Sequence, residues 1–497
     1  MQRSSGILMH ISSLPSPYGI GTLGQEAYKF VDFLKETGTK IWQVLPIGPT
    51  SYGDSPYQSF STFAGNPYFI DLDLLKEDGI LQASDYSHLD PDKDKDYIDY
   101  EYLYLTRHAV LRAAFKNAYQ KLKGSVDEFA AKTPWLFDYA FFSALKDRFG
   151  GKAWSEWPDD AIRFREPEAM AKYAGELSED IAFHSFVQYL FFKQWSRLKA
   201  YANQNGVSIF GDMPIYVAMD SADTWAEPQL FLLDEQRRPL CVAGVPPDYF
   251  TQDGQLWGNP IYNWRLHERT GYEWWIRRMR AMFDYCDIMR IDHFIGFANY
   301  YEIPADAPTA KYGKWRKGPG RGLFEVLSDE IPSLCIVAED LGVVTPKVKR
   351  LRKVCGYPGM KVLLFAFDSD EKNMHMPHNV APNTVLYTGT HDNDTVVGWW
   401  RKAADAERRF AMKYLGIDED ADICGALIKA AYASAAETVV IPMQDHLRLG
   451  SEARMNTPGT VGLNWKWRVR PEQLTDTLRD DILSVNKAFH RTGDTAT

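Results

Sequence analysis

Residues 287–292 read DIMRID and residues 335–339 read CIVAE. Each is a short apolar, β-branched run that stops on a carboxylate, as expected of a buried strand whose last residue emerges at a reactive edge. The same form recurs in residues 6–11 (GILMHI), 41–45 (IWQVL), 207–210 with Gly211-Asp212 as the stop, 360–367 (MKVLLFAF), 384–388 (TVLYT) and 438–442 (TVVIP), giving eight candidate strands. Helical patterns lie between several of them. Residues 25–36 place Tyr28, Val31 and Leu34 on one face, and Trp275, Met279 and Met282 form a helical stripe before the DIMRID run. A helix ending at Ala202 is closed by residues 203–206 and leads into the third strand. Thr345-Pro346 reads as a cap with a first-turn proline, and Gly356 as the stop of that helix. Strands alternating with helices imply parallel β/α units, and eight of them imply a closed (β/α)₈ TIM barrel. A doubly wound sheet with a separate second domain is the alternative.

Such a barrel takes about 250 residues, whereas this chain has 497. The expectation is a single catalytic barrel over residues 1–497 with large insertions after strands two and three. The first insertion, residues 46–205, is helix-rich in 109–122 and 137–149. The second is residues 213–285.

Composition narrows the partners. The net charge is −10, from 56 Lys+Arg against 66 Asp+Glu, and the busiest basic stretch, residues 347–353, has the spacing of a solvated helix face. Nucleic acid is therefore not an expected partner. Aromatic residues make up 14% of the chain, with 15 Trp. Either a bulky core or a surface that stacks flat ligands such as sugar rings accounts for that. The five cysteines, Cys241, Cys286, Cys335, Cys355 and Cys424, are scattered and odd in number, which reads as buried free thiols. The first residues lack the apolar core of a signal peptide, and no apolar run of membrane-spanning length follows. A cytoplasmic protein without membrane association is expected.

Barrel chemistry takes place at the C-terminal ends of the strands. There the sequence puts Asp212, Asp292, Glu339 with Asp340, and His391 with Asp392. Independent helix caps are the bland reading, but closure would aim all these ends at one cavity. Arg290 and Asp292 are two apart on a strand and leave on the same face. A guanidinium there favours the ionised carboxylate, which suits a nucleophile, although a structural ion pair remains the alternative. Glu339 follows Ile336-Val337-Ala338 without a basic neighbour in sequence, so burial should raise its pKa, as suits a general acid. Two carboxyls set apart by environment are the pattern of glycoside chemistry.

At this point a family resemblance becomes specific. HISSLPSPYGIGTLG (residues 10–24), GDSPYQSFSTFAGNPY (53–68), GDMPIYVA (211–218), GVPPDYFTQDGQLWGNPIYNW (244–264), RIDHFIGF (290–297), AEDLG (338–342) and TGTHDNDT (388–395) occur in this order. From end to end the chain resembles the amylomaltases, the disproportionating 4-α-glucanotransferases related to the α-amylase clan. The resemblance implies that Asp292 attacks the anomeric carbon, that Glu339 protonates the leaving oxygen, and that Asp392 holds the sugar's 2- and 3-hydroxyls. Arg290, His391 and Asp212 would line the same subsite, and Tyr57 would stack on the sugar. Asp248 would sit on a lid over the cleft, stiffened by Pro246-Pro247 and folded by turns at Gly254 and Gly258. Trp257 and Asn464 complete the implied substrate-binding set. Donors would be maltooligosaccharides and α-1,4-glucans, and acceptors glucose or maltodextrins.

No cofactor or metal is expected. Asp90, Asp92, Asp94 and Glu101 imitate a calcium loop, but Lys95 stands at the glycine position and Ile98 is apolar at the ninth. His10 and His293 lack a second ligand at metal spacing, and TGTHDND lacks the lysine of a phosphate loop. Two other functions compete: an α-glucan hydrolase using the same carboxylates, and a catalytically silent glucan-binding protein. The complete Asp292, Glu339 and Asp392 set argues against the second.

Overall fold

The structure, a computed structural model, describes residues 3–51, 53–89, 96–247, 252–342 and 344–493. Its strands are β1 (Ser4–Leu8), β2 (Ile41–Gln43), β3 (Ser208–Met213), β4 (Cys241–Val245), β5 (Gln255–Pro260), β6 (Ile288–Ile291), β7 (Asn299–Pro304), β8 (Lys314–Lys317), β9 (Ile336–Ala338), β10 (Gly359–Val362), β11 (Thr384–Tyr387) and β12 (Thr438–Pro442). Eight of them form one parallel sheet in the order β10-β11-β12-β1-β2-β3-β6-β9. The two ends meet where Ala338 N–H donates to Pro358 O at 2.9 Å. The next rung is a side chain: Asp340 Oδ1 accepts from Met360 N–H at 2.8 Å. A Cβ on Gly359 would come within 2.7 Å of the Asp340 carboxylate oxygens, so this seam requires glycine. The result is the eight-stranded (β/α)₈ barrel, whose strands bury residues such as Ile7, Trp42, Ile209, Met289, Val337, Val385 and Val440.

The barrel strands fall on all eight apolar runs, with different ends. The first strand stops at Leu8 rather than residue 11, because the groups that would extend it are used otherwise. Met9 O accepts from the Trp42 indole, and Leu45 N–H donates to His10 Nδ1. A 3₁₀ turn, Ile11–Ser13, follows. Gly211-Asp212 does not stop the third strand, which runs on to Met213 with Asp212 in register with Arg290. Glycine fits there because a Cβ on Gly211 would meet Cys286 at 3.0 Å. The run at 360–367 is strand only to Val362 and then a 3₁₀ turn, Leu363–Phe365.

Helix Gln25–Glu36 buries Ala27, Phe30, Val31, Phe33 and Leu34 against the barrel. Helix Pro346–Cys355 starts at Thr345, whose hydroxyl accepts from Val348 N–H, and ends at Gly356 with φ 73°. Between β2 and β3 lie helices Tyr100–Lys132, Leu136–Arg148 and Ser178–Gln204. Part of this segment, joined by Trp225 from beyond β3, forms a second apolar cluster around Phe141, Phe142, Trp154 and Trp157. Trp42, Trp154, Trp157, Trp195, Trp225, Trp274 and Trp275 are fully buried, so much of the tryptophan content builds core. A four-stranded antiparallel sheet, β5-β4-β7-β8, draws strands from both sides of β6. Gly258, with φ 78°, lies inside β5 rather than at a turn. Among the described residues no helix is long and apolar enough to cross a membrane.

Candidate active site

The parallel register of β3 and β6 sets Asp212 beside Arg290. Arg290 Nη1 donates to both Asp212 carboxylate oxygens at 2.7 Å, and Nη2 reaches Asp292 Oδ1 at 2.8 Å. The side chains of Asp212 and Arg290 are 0% and 4% exposed, that of Asp292 28%. Of these three groups, Asp292 is therefore the one that faces the cleft. Burial alone would lower the Arg290 pKa, but Asp212 and Asp292 hold it well above its ordinary value. Burial pushes the Asp212 carboxyl up, while the Arg290 guanidinium pulls it back. A fixed cation under Asp292 orients one of its oxygens and leaves the other free to react.

Glu339 follows β9, whose Ala338 is in register with Ile291, so Glu339 and Asp292 leave neighbouring strands at the same level. One strand spacing is about 4.8 Å, the scale of the ~5 Å carboxyl separation of retaining glycosidases. Glu339 Oε2 accepts from His293 N–H at 2.8 Å and Oε1 from Leu341 N–H at 2.7 Å. His293 adopts φ 50° to aim its N–H this way, a left-handed conformation that costs a non-glycine residue about 1–2 kcal/mol. Burial is the main reason that the Glu339 carboxyl is pushed up to about 7; Asp292 adds to the rise, and Arg290 and the two N–H donors oppose it. A carboxyl with that pKa can give and take a proton near neutral pH.

Past β11, His391 Nε2 lies 3.3 Å from Asp392 Oδ1. Asn456 donates its amide to the same oxygen at 2.6 Å, and Arg454 Nη2 donates to the Asp392 carbonyl at 2.6 Å. Burial works against ionisation of Asp392, but His391 and Asn456 outweigh it and hold the carboxyl below its ordinary value. His391 is raised in turn, burial opposing and Asp392 prevailing. Tyr57 stacks on the His391 ring at 5.0 Å and 18°, and its hydroxyl donates to Asp212 at 2.8 Å. One face of Tyr57 is thus covered by imidazole. Trp465 packs at a tilt against both rings, 5.7 Å from Tyr57 and 5.8 Å from His391.

The structure thus brings Asp212, Arg290, Asp292, Glu339, His391, Asp392 and Tyr57 to one mouth of the barrel. Trp257, on β5, meets the His293 ring edge-on at 5.0 Å. Asn464 does otherwise: its carbonyl accepts from Thr457 N–H and its amide donates to Thr460 O, so it braces its own loop. Asp248 lies outside the described residues, as do Asp90, Asp92 and Asp94 of the calcium-like segment. Asn456, Arg454 and Trp465 were not expected. Asn456-Thr457-Pro458-Gly459 reads as an ordinary turn, and no spacing links it to Asp392.

The acidic groups here are already matched. Asp212 and Asp292 share one guanidinium, Glu339 takes two backbone donors, and Asp392 takes an imidazole and an amide. Activity is expected to survive EDTA and mild oxidation, since burial also pushes the thiols of Cys286 and Cys424 up. An assay after chelation checks this, and a loss restored by calcium would contradict it.

Known proteins resemble this chain in sequence and in fold. A family model described as 4-alpha-glucanotransferase matches residues 9–475. The 4-alpha-glucanotransferase of Streptococcus pneumoniae is 47% identical over 495 residues, covering 99% of this chain and 98% of that protein. The Thermus thermophilus enzyme of the same name is 49% identical over 487 residues, covering 96% of each. Among solved structures, amylomaltase from Streptococcus agalactiae in complex with acarbose superposes with a TM-score of 0.97 at 44% identity, covering 99% of this chain and 100% of that one. Amylomaltase from Corynebacterium glutamicum, 18% identical with a TM-score of 0.79, shares the fold and covers 99% of this chain and 74% of that one. With a barrel that gathers these carboxylates, a family model that matches residues 9–475 and a relative 47% identical over 98% of its length, the chain belongs to the 4-alpha-glucanotransferase family.

Proposed function

We propose that this transferase moves α-1,4-glucan segments by double displacement, with Asp292 as nucleophile and Glu339 as acid and base. In the first half Asp292 attacks the anomeric carbon while Glu339 gives its proton to the leaving glycosidic oxygen, releasing the shortened donor. In the second half an acceptor hydroxyl gives its proton to Glu339 and displaces Asp292. Asp392 and His391 hold the sugar's hydroxyls, and Tyr57, Trp257 and Arg290 with Asp212 wall the subsite. The observation that carries this reading is the opposed setting of the two carboxyls, Asp292 bound to a guanidinium and Glu339 raised by burial to about 7.

Donors would be maltooligosaccharides and longer α-1,4-glucans, and acceptors glucose or maltodextrins. We take residues 1–497 as one catalytic barrel with insertions at 46–205 and 213–285, the second forming a lid. The contact of Trp257 with His293 supports that placement. A reducing, cytoplasmic setting suits the five free cysteines.

Incubation with maltotriose tests transfer against hydrolysis. Transfer replaces each bond that it breaks, so glucose and a ladder of longer maltodextrins should form while total reducing ends stay constant. An acceptor held in near-attack geometry has an effective molarity of about 10⁵–10⁸ M, enough to outcompete water. Two inversions should also leave α-products. Reducing ends that rise in step with maltotriose loss would favour the hydrolase.

A further inference from the structure

We propose that Asp445 is a positioning residue for this reaction, holding both ends of the loop that carries His391 and Asp392. The inference rests on the reading that those two residues grip the sugar's hydroxyls. Asp445 stands just past β12 and is 1% exposed. Its Oδ2 accepts from the Thr388 hydroxyl at 2.6 Å, where the loop leaves β11. Its Oδ1 accepts from Val396 N–H at 2.8 Å, where helix Val396–Lys402 begins. Among the described residues no cation pairs with it, and burial pushes its carboxyl up to about 6. A carboxylate kept in so unfavourable a place needs a reason. Geometry supplies one: its two oxygens accept at once from the two ends of a single loop.

The adjacent residue repeats the device. Gln444 donates its amide to Ala453 O at 3.2 Å, and the segment beyond carries Arg454 and Asn456, which hold Asp392 from the other side. Two neighbouring side chains on one short turn thus fasten the two loops that converge on Asp392. Loop packing alone would not require that both tethers bracket the substrate-facing pair.

The test compares Asp445→Ala, Asp445→Asn, Thr388→Val, His391→Ala and the double variant Asp445→Ala/His391→Ala in the full chain. Readouts are kcat and KM on maltotriose, normalised to the folded fraction by circular dichroism. Misplacement by about 1 Å costs on the order of 100-fold, so Asp445→Ala should lose about that much, mainly in kcat. Asp445→Asn can still accept from Val396 and donate to Thr388, and should recover most of the loss. In the His391→Ala background the Asp445→Ala loss should shrink to roughly threefold, since coupled residues are not additive. If Asp445→Ala does not fold, Thr388→Val decides, with a loss of about tenfold expected from removing one tether. Wild-type kcat per folded molecule in Asp445→Ala or, where that fails to fold, in Thr388→Val would overturn the proposal. So would losses in the double variant that simply multiply. A His391→Ala variant as active as wild type would instead remove the hydroxyl-gripping reading, and this inference with it.

Discussion

Asp292→Asn is expected to abolish turnover and leave the fold and sugar binding in place. The substitution is nearly isosteric, and the amide oxygen can still accept from Arg290, whose pairing with Asp212 is untouched. What disappears is the charged oxygen that would bond to the anomeric carbon. The loss should fall on kcat, by about 10⁴-fold or more as for other core catalytic groups, with maltooligosaccharide affinity nearly unchanged. Steady-state rates and calorimetric binding check this together. Retention of more than about a hundredth of the activity would contradict nucleophilic attack at this position.

Glu339→Gln should fail in both halves of the reaction, because the amide neither protonates the leaving oxygen nor takes the acceptor's proton. An α-glucosyl fluoride needs no protonation to leave, so the first half should partly recover with that donor and the second should not. The wild-type pH profile belongs to the same prediction. Burial raises the Glu339 carboxyl to about 7, so the protonated acid prevails below that pH and is lost above it. The kcat/KM for maltotriose should fall as pH rises through about 7. The Glu339→Gln variant, assayed with the fluoride for release of fluoride ion, should lack that descending limb. Retention of the limb in the variant would assign it to another group.

Legibility in the sequence followed the range over which each feature is determined. Helix Pro346–Cys355 was readable to its ends because Thr345, Pro346 and Gly356 act within a few residues. The barrel was readable because each strand is buried on both faces and keeps its apolar run. Asp212 reads as lying two residues past the third strand, since Gly211 resembles a breaker until Cys286 is seen packed over it. The antiparallel sheet was hidden for the opposite reason. All four residues of β8 are exposed and show no alternation, while β5 contains Gly258 and ends in Asn259-Pro260, which read as turn signals. Within the site, Arg290 with Asp292 was visible as a two-residue spacing. The contacts of Tyr57 with Asp212, 155 residues away, and of Asn456 with Asp392, 64 residues away, exist only after closure. The rise of Glu339 was foreseen from its apolar approach, whereas its cradle depends on the left-handed backbone of His293, which no local pattern announces.

Trapping the covalent intermediate tests the assignment of the two carboxyls most directly. Glu339→Gln incubated with α-glucosyl fluoride, without acceptor, should accumulate a protein heavier by one hexosyl unit. Proteolysis and peptide mass analysis should place that unit on Asp292, in the segment that carries Arg290 and His293. A hexosyl unit on Asp212, Asp392 or another carboxylate, or fluoride release with no adduct at all, would contradict nucleophilic catalysis by Asp292.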